Sequence, residues 1–360
     1  MAKTEPAPES LLNRMGLERP LRVPQMEGPA RLLPGDRMPN FRLPGPDDVS
    51  REFYALMKGR PALLVLAANT GRQDQWDEIK GLAAALPDFE AAGLDLFIVS
   101  NDGVESLALV SKTIPPPAVW FADIQGMVNI GIRGAAKFEM AGLLSFLIDA
   151  DQRVIALRGP EPGHAAWALA TLWEQPQPEP LVLSAAAPVL MMPAVLDGRL
   201  CGRLLEQLET AGAGAHGAAV EEGEFAAEVG QVMLRRIGPE VEKVFDFEDI
   251  VLEEVKVRRD AAGADASVER RHDIVDIVGA ERRFTLLLNL DAAGYEGGGF
   301  AFPEYGPHVY RPGTGGALIY SGALLAEIRP PVSGRRSLLT AVLRQKPSAA
   351  KGKPGAKRPG

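Results

Sequence analysis

The sequence predicts two folded units of different class: an α/β unit with a mixed sheet, then a mainly β unit arranged as a double-sheet jelly roll with supporting helices. Three observations predict this. Between Leu63 and Leu157, apolar runs of strand length alternate with a helical stretch and end on a hairpin pattern. After Val251, short strand-like runs recur between glycine-rich turns. Between the two lies Glu174-Gln-Pro-Gln-Pro-Glu-Pro180, with alternate prolines and no apolar residue, which reads as a linker. A length of 360 residues suits about two domains. With 46% hydrophobic and 24% charged residues the chain has apolar surface enough for real cores, which excludes a wholly disordered protein.

The elements follow in order. Residues 1–30, rich in proline and charge and without sustained periodicity, read as a disordered arm, and the first domain spans 31–175. Leu63-Leu64-Val65-Leu66-Ala67 is a buried-strand candidate, and Asn69-Thr70-Gly71 is a turn. Trp76, Ile79, Leu82, Ala83 and Leu86 recur at three and four and predict a helix. Residues 94–100 form a second strand candidate, and 145–150 with 153–157 pair around the turn Asp149-Ala150-Asp151-Gln152. Residues 176–185 are linker and 186–345 the second domain. There Cys201, Leu204, Leu205 and Leu208 share a helical face, and residues 284–290, 309–310, 317–320 and 337–343 read as short strands. Residues 346–360 form a basic disordered tail. Trp76, Trp120 and Trp167 are core or interdomain packing residues, and Asp36 and Asp123 belong to turns.

Charge narrows the function. Lys and Arg number 39 and Asp and Glu 47, for a net charge of −8, and removing the five cations of the tail leaves −13 on the rest. An acidic body argues against nucleic-acid binding. No apolar run approaches the roughly 20 residues of a membrane helix, and MAKTEPAPES lacks the basic and apolar segments of a signal peptide, so a cytoplasmic protein without a membrane partner is expected. Cys201 is the lone cysteine, which excludes an internal disulfide and a cysteine zinc site of ordinary spacing. Its apolar helical face marks it as a packing residue and not a nucleophile.

The motifs Leu33-Pro-Gly-Asp-Arg-Met-Pro-Asn-Phe-Arg-Leu43, Thr113-Ile-Pro-Pro-Pro117, Ala122-Asp-Ile-Gln-Gly126 and Phe146-Leu-Ile-Asp-Ala-Asp-Gln-Arg-Val154 resemble a peroxiredoxin-type thioredoxin fold over roughly residues 30–175. The resemblance implies a thiolate at the start of the helix after the first long strand, where the helix N-terminus lowers a thiol pKa. The stretch there, Ala68-Asn-Thr-Gly-Arg-Gln-Asp-Gln-Trp76, has no cysteine, so peroxidase chemistry of that kind is excluded. It also implies that the loop Pro115–Pro117 faces the vacant thiol position near Gln73 and Asp74, with a cis peptide common at such a proline.

The second half resembles the prolyl 4-hydroxylase-like iron(II)/2-oxoglutarate dioxygenases, through Arg282-Arg-Phe-Thr-Leu-Leu-Leu-Asn-Leu290, Tyr295-Glu-Gly-Gly-Gly-Phe-Ala-Phe-Pro303, Pro312-Gly-Thr-Gly-Gly-Ala317 and Pro331-Val-Ser-Gly-Arg-Arg336. Glu296 and Gly297-Gly298 are read as turn chemistry. The resemblance implies a His-x-Asp pair on one strand and a distal His on another, two imidazoles and a carboxylate that leave iron(II) open positions for 2-oxoglutarate and oxygen. Here the carboxylate falls on Asp273, but Arg271 and Ala326 stand at the two histidine positions. His272 adjoins Asp273 and points to the opposite face of a strand, His308 follows a Gly-Pro turn, and His164 and His216 lie elsewhere. Arg336 matches the cation that clamps the distal carboxylate of 2-oxoglutarate, a task suited to Arg. A structural ion pair is the other reading of Arg336. Arg271 and Asp273, two apart on one strand, are expected to meet in the cleft.

Two function classes stay open. One is a non-catalytic binding or regulatory protein, with no cofactor, whose partner is a small carboxylate or a protein. The other is an oxidoreductase using iron(II) and 2-oxoglutarate through an altered metal site on a peptide or small molecule.

Overall fold

The computed structural model describes residues 32–114, 116–138, 142–176, 182–210, 218–219, 223–263, 267–273 and 283–345. The expected arm, the basic tail, His216 and Arg282 lie outside the described residues, as does half of the linker. The chain divides into two compact units, Met1–Pro176 and Gln177–Gly360.

The first unit is an α/β thioredoxin-like fold. Strands β1 (Arg42–Pro44) and β2 (Ser50–Glu52) make a small hairpin, followed by helix α1 (Phe53–Met57). Then come β3 (Ala62–Ala67), α2 (Gln73–Ala84), α3 (Leu86–Ala91), β4 (Asp95–Ser100), α4 (Val104–Thr113), β5 (Val119–Ala122), α5 (Met127–Ala136), β6 (Leu144–Ile148), β7 (Val154–Arg158) and α6 (His164–Trp173). The five-stranded sheet runs β5-β4-β3-β6-β7, with β3, β4 and β5 parallel and β6 and β7 antiparallel. The apolar run of β3 is unbroken because helices cover both faces of the sheet. Leu63, Val65 and Ala67 pack with Ile79, Leu82, Ala168 and Leu169, whereas Ala62, Leu64 and Leu66 pack with Phe53, Phe121 and Ile132. Trp120 is buried in this core, and Trp76 and Trp167 pack against it.

The direction of β5 corrects one expectation. Since β5 runs parallel to β3, residues 116–118 lead into it at the end of the sheet where β3 begins, whereas α2 starts where β3 ends. Pro116 and Pro117, joined by a cis peptide, therefore lie at the end opposite Gln73 and Asp74, and Pro115 is outside the described residues. The segment beside the start of α2 is Gly142-Leu143, because β6 is antiparallel and Leu144 is the register partner of Leu66.

The second unit is mainly β. After β8 (Leu190–Met192), helix α7 (Gly198–Thr210), β9 (Ala218–Ala219) and helix α8 (Glu224–Phe245) come β10 (Ile250–Ala261), β11 (Glu269–Arg271), β12 (Arg283–Asn289), β13 (Tyr295–Ala301), β14 (Val309–Tyr310), β15 (Ala317–Ser321) and β16 (Ala326–Gln345). They form a curled antiparallel sheet of jelly-roll type. Strand β16 joins its two layers: residues 326–334 pair with β11 and β13, and residues 335–345 pair with β10 and β12. The change of layer falls at Gly334, with φ of 77° and an added Cβ only 2.2 Å from the Gly294 oxygen, so glycine is required in this motif. The sequence pattern predicts a strand over 337–343 only, whereas β16 begins at Ala326 and runs through Pro330, Pro331 and Gly334. Pairing with β11 stops at Ile328, so Pro330 and Pro331 face no further β11 partner there and β13 alone continues the ladder.

Strand parity sorts the core. Leu286, Leu288, Ile319, Leu339, Ala341 and Leu343 face α7 and α8 through Leu204, Met233 and Ile237. The alternate residues Leu287, Leu318, Tyr320 and Leu338 meet Phe300, Phe302, Ala326 and Ile328 between the layers. Among the described residues, no helix is long and apolar enough to cross a membrane.

Candidate functional site

Asp273 lies just beyond β11, at the mouth of the space between the layers. Its Oδ1 accepts from Arg271 Nε at 2.7 Å, the meeting that the spacing predicts. Its Oδ2 accepts from Thr285 Oγ1 at 2.7 Å and from the Tyr320 hydroxyl at 2.8 Å. Thr285 and Tyr320 are register partners on β12 and β15, so one cross-strand pair aims two hydroxyls at one oxygen. Arg271 Nη1 also donates to Glu269 at 2.6 Å, and the register partner of Arg271 on β16 is Ala326, fully buried. The positions that the sequence aligned with a metal triad are thus adjacent in space.

Electrostatics favour the ion pair as it stands. Burial of Asp273 pushes its pKa up, but the bonds from Thr285, Tyr320 and Arg271 outweigh this and hold it below the ordinary carboxylate value. For Arg271, burial pulls downward and the two carboxylates win, leaving it raised. Tyr320 is raised by its own burial and by the charge of Asp273, so its hydroxyl stays a donor.

These residues do not fit the iron that the sequence resemblance implies. The carboxylate already receives three hydrogen bonds, a permanently charged guanidinium stands where one imidazole is needed, and a methyl group where the other is needed. His272 is exposed, with Nδ1 3.0 Å from the Ala323 oxygen, and His308 is exposed as well. Among the described residues, no group of three His, Cys, Asp or Glu side chains is placed to hold a metal.

Arg336 lies on β16 and is 1% exposed. Its Nε and Nη2 both donate to Asp260 Oδ2, at 3.1 and 2.7 Å, and Nη1 donates to the Arg329 oxygen at 2.9 Å. The Phe300 ring lies 5.1 Å from the guanidinium carbon. Asp260 is the register partner of Arg336 on β10 and also accepts from Arg258 at 3.1 Å. The cation that the sequence assigns to an incoming carboxylate is therefore engaged by a carboxylate of the chain itself.

In the first unit the turn before α2 is held by side chains. Asp102 accepts from Thr70 N at 2.9 Å and Thr70 Oγ1 at 2.6 Å, Asn69 Oδ1 accepts from Gly71 N at 2.6 Å, and Gln75 Oε1 accepts from Ala68 N at 3.0 Å. No thiol stands there. The Cys201 thiol belongs to α7 of the other unit, 2% exposed, and burial pushes its pKa up to about 11. Native protein is expected to leave Cys201 unreacted with an aromatic disulfide reagent until denaturant is added, and to consume no hydrogen peroxide. Peroxidase activity lost in Cys201→Ser would contradict this.

His164, at the start of α6, is fully buried with Nδ1 2.8 Å from Ser145 Oγ. Burial depresses its pKa, against the opposing pull of Glu78. A depressed folded value means that the neutral ring stabilises the fold above the unfolded value of about 6.5 and that this is lost as pH falls through the folded value. The urea midpoint is expected to drop as the pH falls from about 6.5 to the folded value. A drop of equal size in His164→Gln would remove His164 as its cause.

Sequence reasoning located Arg271, Asp273, Ala326 and Arg336 but missed Asp260, Thr285, Tyr320 and Gln75. Inward parity on the strands at Thr285 and Tyr320 was a usable signal. The β10–β16 register that brings Asp260 to Arg336 had none.

No family profile matches the chain, and no curated protein matches it. Solved structures similar to it include the peroxidoxin BcpB from Mycobacterium tuberculosis, at 23% identity over 41% of this chain and 100% of that one, with a TM-score of 0.37. A thiol peroxidase from Chromobacterium violaceum is 15% identical over 40% of this chain and 87% of that one, with a TM-score of 0.34. A truncated viral collagen prolyl hydroxylase from Paramecium Bursaria Chlorella virus-1 is 18% identical over 48% of this chain and 96% of that one, with a TM-score of 0.38.

Proposed function

We propose that this chain is a cytoplasmic, non-catalytic binding or regulatory protein, with a protein as partner, in which a jelly roll of oxygenase type is closed by its own ion pairs. One observation carries the reading: Asp273 is saturated by Arg271, Thr285 and Tyr320, with Ala326 opposite Arg271. A carboxylate so held gives up favourable charge-assisted bonds if a metal is to take it, and Arg271 repels a divalent cation at that point. Arg336 supports the same reading, because a diacid such as 2-oxoglutarate has to displace Asp260 to reach its guanidinium. The acidic body argues against nucleic acid as the partner.

The test is metal analysis of the purified protein with anaerobic iron(II) titration and a 2-oxoglutarate turnover assay. No stoichiometric iron, no turnover and no calorimetric heat with 2-oxoglutarate at millimolar concentration are expected. Stoichiometric iron that disappears in Asp273→Ala would instead favour an active 2-oxoglutarate-dependent oxidoreductase with an altered metal site.

A further inference from the structure

A cavity of about 370 Å³ lies in the first unit beside the start of α2, at the small end of the range of ligand pockets. Its polar lining comes from Arg72, Asp74, Gln75 and Glu78, and Leu143, Pro160 and Pro162 supply an apolar wall. We propose that this cavity binds a small uncharged amide, which places its carbonyl oxygen on Gln75 Nε2, its N–H toward Glu78 and its apolar group on Leu143, Pro160 and Pro162.

The orientation of Gln75 carries the argument. The residue is 1% exposed, and its Oε1 accepts from the backbone N–H groups of Ala68 at 3.0 Å and Asn69 at 3.3 Å. Turning the amide over would set its NH2 against two donors, so the side chain has one acceptable orientation. In that orientation Nε2 has no hydrogen-bond partner among the described residues. A buried donor left unmet is costly, so an acceptor supplied from outside is favoured there.

Charge selects among acceptors. Arg72 is spent on Asp74, with Nε and Nη2 donating at 3.2 and 2.9 Å to its two oxygens. Glu78 accepts from the backbone N–H groups of Gly163 at 2.9 Å and His164 at 3.4 Å, which pins the loop after β7 against α2. Among the described residues it has no ion-pair partner, so the lining is net negative. A carboxylate ligand is repelled, whereas an amide brings a neutral acceptor for Gln75 and a donor for Glu78. This site belongs to the first unit and stands or falls independently of the ion pairs in the second.

The experiment is a heteronuclear NMR titration of the full chain with N-acetyl-leucinamide, following the Gln75 side-chain NH2 signals, repeated with N-acetyl-leucine. A saturable downfield shift of the Gln75 signals is expected, with weaker binding of the carboxylate compound. Gln75→Glu keeps an oxygen for Ala68 and Asn69 but loses the donor, and is expected to weaken binding by about tenfold. The backbone signals of Ala68 and Asn69 report whether that variant keeps its turn. Absence of a saturable shift in the wild-type chain, equal affinity for the two compounds, or undiminished affinity in a folded Gln75→Glu variant would each overturn the proposal.

Discussion

Replacing Asp260 with alanine is expected to destabilise the second unit by about 3–5 kcal/mol, the usual cost of removing one partner from a buried ion pair. Arg336 is 1% exposed and always charged, and the substitution takes away the acceptor of its Nε and Nη2 while the Arg329 oxygen holds only Nη1. The loss has a second signature. A carboxylate small enough to enter the vacated space, such as acetate, is expected to raise the denaturant midpoint of Asp260→Ala and leave that of the wild-type protein unmoved. Asp260→Asn restores a neutral acceptor and is expected to fall between the two. A change within about 0.5 kcal/mol, as for an ordinary surface substitution, would show that Asp260 is dispensable to Arg336.

Restoring both imidazoles is expected to have the other large effect. Arg271→His together with Ala326→His is the minimum change expected to recover iron(II) binding, since the register places the two side chains on neighbouring strands beside Asp273. Histidine at the fully buried position of Ala326 costs about 1–3 kcal/mol from overpacking. Iron(II) at a hundredfold excess over its dissociation constant returns about 2.7 kcal/mol, because it binds the folded state only. The metal-free double variant is therefore expected to melt below the wild-type protein and to regain stability with iron, whereas the wild-type melting temperature stays unchanged. Iron stabilising the wild-type protein equally would defeat the reading of Arg271 as a substitute for the metal.

What the sequence disclosed about the site follows from what is local in sequence. Arg271 and Asp273 are two apart, so strand parity alone brings them together. The unbroken run Leu63–Ala67 was legible because helices bury both faces of its sheet. Asp260 was silent, because its pairing depends on the register of two strands 76 positions apart, which no local pattern encodes. The loop at Pro115–Pro117 was misassigned for a related reason: a strand candidate has no direction in sequence, and only the parallel pairing of β5 with β4 shows which end of the sheet the loop occupies. Gln75 was overlooked because its role lies in backbone donors at positions 68 and 69, which every sequence possesses.

Strand β16 has a consequence for synthesis on the ribosome. Four strands, β10, β11, β12 and β13, take their partner from residues 326–345, the last part of the chain that the structure describes. The first unit contains all the strands of its own sheet by residue 158 and is free to fold while the rest is still being made. The second can pair β12 with β15 and β15 with β8 before then, but its two layers stay unjoined until β16 emerges, and its long-range pairings make closure slow. Nascent chains halted before residue 326 should therefore carry a protease-resistant first unit followed by a chaperone-dependent, aggregation-prone remainder.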